Sequence, residues 1–200
     1  MIGSRALDDK EIPVQLIAGL GNPGAEYSET RHNAGFWFAD ELASAWQGQF
    51  RNEQKFQGEV CKLVANGQDV WLLKPMTWMN RSGQAVAALA RYYKIPPAAV
   101  LVVHDELDLP AGTARLKRGG GHGGHNGLRD LIQHLGKDFA RLRIGIGHPG
   151  HKDQVHDYVL GRPSRADHQQ IEDAIWQATK ILPKLLEHGL EKAMNELHTK

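Results

Sequence analysis

Two hydrophobic periods alternate along this chain, and that alternation is what most limits the folds open to it. The runs "VQLIAGL" (14–20), "VWLLK" (70–74), "AVLVVHD" (99–105) and "LRIGIG" (142–147) are short, aliphatic or β-branched, and suit strands buried on both faces. Between them apolar residues recur at spacings of three and four: Phe36, Ala39, Ala43 and Trp46; Val86, Leu89 and Tyr93; then Leu128, Leu131, Ile132 and Leu135 before Gly136. After Pro163, Ser164 is a candidate cap for a helix carrying Ile171, Ala174, Ile175 and Ala178, which Pro183 is expected to end or kink. A last amphipathic piece holds Leu190, Ala193, Met194 and Leu197. Strands alternating with helices predict an α/β fold, a three-layer sandwich whose twisted, largely parallel sheet has helices on both faces. The sheet is expected to be mixed, because "KFQGEVCKLVANGQDVWLLK" reads as a hairpin turning at Asn66-Gly67.

Length and charge narrow the functional classes. A chain of 200 residues with 41% hydrophobic content can bury the core of one domain, expected over 14–200, with the polar residues 1–13 as a flexible extension. Its 24 basic and 23 acidic residues leave a formal charge of +1, so a polyanionic partner must be held by a local patch rather than by a global field. The start lacks a long apolar stretch, and no later run approaches the ~20 apolar residues that span a bilayer, so no membrane role is expected. Cys61 stands alone and can make neither an internal disulfide nor a multi-cysteine zinc site; its simplest role is a small buried hydrophobe in a reducing, cytoplasmic setting.

The segment "GLGNPGAEYSETRHNAG" (19–35) sets Gly19, Gly21 and Gly24 in a G-x-G-x-x-G spacing. In a dinucleotide site that turn runs straight from strand into helix, so that pyrophosphate meets the helix N–H groups. Here Pro23 interrupts the motif and the next helical pattern begins only near Ala34, which argues for a rigid strand-end loop displaying Asn22, Tyr27, His32 and Asn33. Other candidate strands end in similar residues: Trp78 and Asn80 in "KPMTWMNRSG", Asp105 in "VVHDELDLPAG", and Asn126 in "GGGHGGHNGL" just before a helix. Singly, each has a structural role open to it: Asn126 as a helix cap, Asn80 as a turn residue, Asp105 as a loop cap, His32 as a surface group. Together, at the carboxyl ends of strands, they point to one ligand crevice.

These segments, with "RLRIGIGHPG" and "VHDYVLGRP", resemble in order and spacing the bacterial-type peptidyl-tRNA hydrolases, from about residue 14 to the C-terminus. The resemblance implies a monomeric α/β sandwich that cleaves the ester between a peptide and the 3′ ribose of tRNA, with no metal, no organic cofactor and no obligate protein partner. It assigns His32 as catalytic base and Asp105 as its support. It assigns Asn22, Asn80 and Asn126 to binding the peptidyl and terminal-nucleotide part of the substrate, Tyr27 and Trp78 to flanking that pocket, and Lys117 and Arg143 to tRNA binding. The family more often has Phe or Tyr where Trp78 stands.

The chemistry is consistent with that list. Ester hydrolysis needs a water, a group to take its proton and donors for the developing oxyanion. An imidazole titrates near neutral pH, and a carboxylate can fix its tautomer. No G-x-S-x-G elbow offers a serine nucleophile, and Cys61 has no motif around it. The pair His122 and His125, with His104, Asp105 and His32, invites a metal reading, but the glycine-rich backbone favours a substrate-gating loop or a simple turn. Arg115 and Lys117 in "RLKRGG", and Arg141 and Arg143 in "RLRIG", fall on one strand face each by period-two alternation and are candidates for an acceptor-stem patch. A phosphorylase- or aminopeptidase-like enzyme and an inert RNA-binding module are the other classes to be tested.

Overall fold

The apolar run at the start of the chain forms β1 (Leu16–Gly19), with all four residues buried. In the computed structural model, which describes residues 12–199, β1 pairs in parallel with β4 (Gln68–Pro75) on one side and β5 (Val100–Glu106) on the other. The extension expected over residues 1–13 lies almost wholly outside the described residues. β5 pairs in parallel with β7 (Ala140–Gly145), so the centre of the sheet is the set of continuous hydrophobic runs that a doubly covered parallel sheet requires. The hairpin forms as expected: β3 (Gly58–Ala65) runs antiparallel to β4, and Asn66 and Gly67 take φ of 52° and 75°, both positive as a tight hairpin turn requires. Two short strands close the edges, β2 (Arg51–Glu53) against β3 and β6 (Ala114–Arg118) against β7, both antiparallel. The order is β2-β3-β4-β1-β5-β7-β6.

Helices cover both faces. On one lie α1 (Ala34–Ala45), α5 (Arg165–His188) and α6 (Leu190–His198), sharing a core with Ile17, Leu101, Val103, Leu116 and Leu142. On the other, α2 (Ser82–Tyr92) and α3 (Asn126–Leu135) pack over Leu16, Leu20, Val100, Val102 and Phe139. A one-turn helix, α4 (Val155–Val159), precedes α5. The α/β sandwich and its mixed, mostly parallel sheet are therefore as the two periods predicted. The Ser164 hydroxyl accepts from the Asp167 N–H at 3.1 Å, capping α5. Pro183, however, does not end that helix, which continues to His188; Leu182 and Leu185, both buried, hold it against the core across the missing N–H. No helix among the described residues is long and apolar enough to cross a membrane.

One close approach sets the position of everything at the top of the sheet. A Cβ on Gly35 would lie 2.4 Å from the Leu20 backbone nitrogen and 2.5 Å from the Val103 carbonyl oxygen. A Cβ on Gly19 would lie 2.3 Å from the Gly35 carbonyl oxygen. Two glycines thus let the first turn of α1 rest directly on the end of β1 and the middle of β5.

Candidate active site

The residues just before α1 form a single 3₁₀ turn, Arg31–Asn33, and the glycine contact lays this turn over the end of β5. His32 there meets Asp105, the penultimate residue of β5, with Nδ1 2.8 Å from the carboxylate Oδ2. Both are buried. A carboxylate only accepts, so Nδ1 carries the hydrogen and donates it, leaving Nε2 as the basic nitrogen. Burial pulls the His32 pKa down, but the Asp105 charge and hydrogen bond outweigh it and the net shift is upward. Burial likewise opposes the Asp105 charge, yet His32 and His125 beside it hold this carboxyl well below the usual carboxylate range.

The second partner of Asp105 was not assigned from sequence, where His125 figured only in a metal reading set below a gating loop or simple turn. His125 Nε2 donates to Asp105 Oδ1 at 2.8 Å, so each carboxylate oxygen takes one histidine. Its Nδ1 accepts from the backbone N–H groups of Gly127 and Leu128 at 3.1 and 3.3 Å, which makes His125 the N-cap of α3. Asn126 is therefore not the cap; it is the first residue of the helix, exposed, with Oδ1 accepting from Arg129 Nη1 at 3.3 Å. A histidine immediately before an apolar helical stripe was the available signal. His104 is buried behind these groups; its Nδ1 donates to the Asp105 carbonyl oxygen at 2.8 Å, and burial together with the neighbouring His125 pushes its pKa down to about 3.

A cleft of about 870 Å³ opens over this cluster. Asn22, His32, Trp78, Asn80, Asp105 and Asn126 all line it, so the strand-end loops do converge. The side chain of Asn22 is anchored: its Oδ1 accepts the Met79 N–H at 2.7 Å. Tyr27 is not on the cleft wall and packs edge-on against Trp78, ring centroids 5.7 Å apart at 87°. Trp78 itself is 52% exposed.

Lys117 and Arg143 also line the cleft, and the strand alternation holds: Leu116 and Leu142 enter the core while Arg115, Lys117, Arg141 and Arg143 turn to the opposite face. Their fates differ. Arg141 is 1% exposed and donates both terminal nitrogens to the carbonyls of Gly120 and Gly121, pinning the glycine segment rather than offering itself to a ligand. Arg118 donates to the Ala98 and Asp138 carbonyls, and Arg115 to that of Ala114. Partial burial, then the neighbouring Arg143 and Arg141, lower the pKa of Lys117, the mark of crowded cations.

For a metal, the candidate set among the described residues is His32, Asp105 and His125, with ligand atoms within 4.8 Å of one another. The two histidines point at different oxygens of one carboxylate, each through a hydrogen bond, so the set reads as a hydrogen-bonded chain. His122 stands apart from it, its Nδ1 accepting the Gly124 N–H at 2.9 Å.

Comparison with known proteins adds a family. The model for peptidyl-tRNA hydrolase matches residues 16–200. The peptidyl-tRNA hydrolase of Halorhodospira halophila is 58% identical over 185 residues, covering 92% of this chain and 95% of that protein. That of Coxiella burnetii is 58% identical over 187 residues, covering 93% and 98%. Among solved structures, the peptidyl-tRNA hydrolase of Acinetobacter baumannii superposes with a TM-score of 0.89 at 51% identity, covering 92% of this chain and 94% of that one.

Proposed function

The chain belongs to the peptidyl-tRNA hydrolase family and hydrolyses peptidyl-tRNA; from that premise we propose that His32, braced by Asp105, is the base that activates water for the reaction. The observation that carries this reading is the buried 2.8 Å contact between His32 Nδ1 and Asp105 on the wall of the cleft. His32 Nε2 takes a proton as the water oxygen bonds to the ester carbonyl carbon. Collapse of the tetrahedral intermediate breaks the bond to the ribose 3′ oxygen, which receives that proton, and Asp105 stabilises the imidazolium in between. The amide N–H groups of Asn22, Asn80 and Asn126 supply donors for the oxyanion and for the peptidyl carbonyls.

The terminal nucleotides lie against the Asn80 and Asn126 side of the cleft, with Tyr27 bracing Trp78. Lys117 and Arg143 take phosphates of the acceptor stem. No metal is required, because each histidine nitrogen facing Asp105 is engaged by that carboxylate. The chain works as a monomer without an obligate protein partner, and in the cytoplasm, where its one buried, unpaired cysteine suits a reducing setting.

Deacylation of N-acetyl-aminoacyl-tRNA, followed with and without chelator, tests the reading. His32→Ala is expected to lower kcat by roughly 10³-fold or more with little change in KM, as removal of a group acting in the transition state does. Chelator should change nothing. Near-normal turnover by His32→Ala overturns the assignment, and loss of wild-type activity to chelator overturns the metal-free step.

A further inference from the structure

The turn that carries His32 also holds a part of the cleft that the proposed proton transfer leaves out. Between β7 and α5 the chain forms α4, and Val155, His156, Val159 and Leu160, on or beside this helix, line the cleft. Arg31, the residue before His32, is joined to that segment in three ways. Its backbone N–H donates to the Gly161 carbonyl at 3.0 Å, its Nη1 donates to the Tyr158 carbonyl at 2.9 Å, and its guanidinium carbon lies 3.9 Å from the centroid of the Tyr158 ring. The Tyr158 hydroxyl in turn donates to the carbonyl of Ile146, just past the end of β7, at 2.6 Å. A Cβ on Gly161 would lie 3.2 Å from Arg31 Nη1, and one on Gly147 3.1 Å from the Tyr158 hydroxyl oxygen, so a side chain at either glycine would crowd the pair. Arg31 is half-buried, and its Nε is buried with no hydrogen-bond partner among the described residues. Its guanidinium is spent on a carbonyl and a ring rather than on a carboxylate, which makes it a flat clamp and not a solvated surface charge. Neither Arg31 nor Tyr158 lines the cleft itself.

We propose that Arg31 is a positioning residue: with Tyr158 it straps the α4 wall of the cleft to the His32 turn and to the end of β7, and so fixes the surface against which the ester end of the substrate binds. The inference rests on the reading of the cleft as the peptidyl ester site. Because the strap is anchored one residue from the base, the wall it holds serves the reacting end, which every ester substrate shares. Contacts with that wall are made by substrate and transition state alike, so a loosened wall raises KM and leaves kcat nearly as it was. Partial unfolding does the reverse, since it removes active molecules and lowers apparent kcat without changing KM.

The test measures kcat and KM on full-length N-acetyl-aminoacyl-tRNA and on a short N-acetyl-aminoacyl nucleotide ester, for Arg31→Ala, Arg31→Lys, Tyr158→Ala and the double alanine variant, with Tm on each. Arg31→Ala is expected to raise KM about tenfold on both substrates, the worth of one hydrogen bond and one cation–ring contact, with kcat within about threefold of wild type. The acid limb of its pH profile should keep its place, because Asp105 still holds His32. Lysine keeps the charge but cannot lie flat on the ring, so Arg31→Lys should not restore KM. The double variant should be within about twofold of Arg31→Ala, the sign of two residues acting through one contact. Should Arg31→Ala fold poorly, Tyr158→Phe removes only the bond to Ile146 and should raise KM about threefold or more on both substrates. A rise confined to full-length tRNA, or full rescue by lysine, would make Arg31 a phosphate contact and overturn the strap. An unchanged KM in the variants that fold, or fully additive losses in the cycle, would overturn it as well. Those outcomes occur with His32-dependent turnover intact, whereas turnover that does not depend on His32 sinks the underlying reading instead.

Discussion

At the scale of single residues, the chemistry depends on one imidazole held in one tautomer. Asp105 raises the pKa of His32 against the pull of burial, so replacing it with Asn leaves burial unopposed. The sign follows: the acid limb of kcat, which reports loss of the neutral base as pH falls, should move to lower pH in Asp105→Asn. Turnover should also fall by roughly 10²–10⁴-fold, because an amide can donate to Nδ1 and trap the wrong tautomer. A pH-rate profile with its acid limb in place would contradict the assignment of Asp105 as the group that sets His32. The same shift has a stability counterpart. With its folded pKa above the unfolded value, His32 contributes stability that is fully present below the unfolded pKa and is lost as pH rises through the folded one. Asp105, depressed in the fold, contributes above its unfolded pKa and loses that contribution as pH falls towards the folded value.

At the scale of elements, the site exists because three pieces of secondary structure end at one place, and two contacts hold them there. The first is the seat of α1 on β1 and β5. In Gly35→Ala the added methyl group would meet backbone atoms of Leu20 and Val103, which cannot rotate away as a side chain can. Helix propensity alone would favour Ala by ~1 kcal/mol, but overpacking against backbone costs ~1–3 kcal/mol or more, so the net effect is destabilising. The expected result is a lower Tm and, because the turn carrying His32 is displaced from Asp105, weaker turnover; a Tm at or above wild type would refute this seat. The second contact is the His125 cap. His125→Ala removes the acceptor for the Gly127 and Leu128 N–H groups and frees one Asp105 oxygen. Loss of a cap costs ~0.5–2 kcal/mol, and turnover should fall beyond what that loss explains.

These elements were legible to very different degrees. The central strands, the hairpin at Asn66-Gly67, and α1, α2, α3 and α5 follow from periodicity and turn chemistry, which are local. So does the convergence of Asn22, His32, Asn80, Asp105 and Asn126, once strand ends are taken as the place where loops meet. The role of His125 was not legible, because its partner Asp105 is 20 residues away and its capping function falls outside the usual Ser, Thr, Asp and Asn. β2 has three residues, two of them exposed, and carries no periodic signal of its own. Of the two outcomes expected at Pro183, an end or a kink, the end does not occur: the helix continues to His188, with Leu182 and Leu185 buried on either side. Within the basic segments, alternation placed each pair of cations on one face of its own strand but could not tell Arg141, which is buried and binds the glycine segment, from Lys117 and Arg143.

At the scale of the whole molecule, a formal charge of +1 means that no long-range field draws a polyanion in, and any affinity for the tRNA body has to come from where the cations are gathered. Lys117 and Arg143 sit on the cleft with Arg141 buried behind them, and partial burial, then these two guanidiniums, lower the pKa of Lys117 against the pull of Glu106 and Asp108. Each phosphate taken by such a residue releases counterion, so each should contribute about one to the slope of log affinity against log salt. Replacing Lys117 and Arg143 together with Ala should then raise KM for full-length peptidyl-tRNA and flatten that slope by roughly two, with kcat little changed. A short N-acetyl-aminoacyl nucleotide ester, which reaches the Asn22 and His32 part of the cleft but has no acceptor stem, should be cleaved almost as by the wild type. The two substrates separate the patch from the chemistry: equal losses on both would mean that the pair acts on the ester or on the fold, and an unaltered salt slope would mean that the stem is held elsewhere.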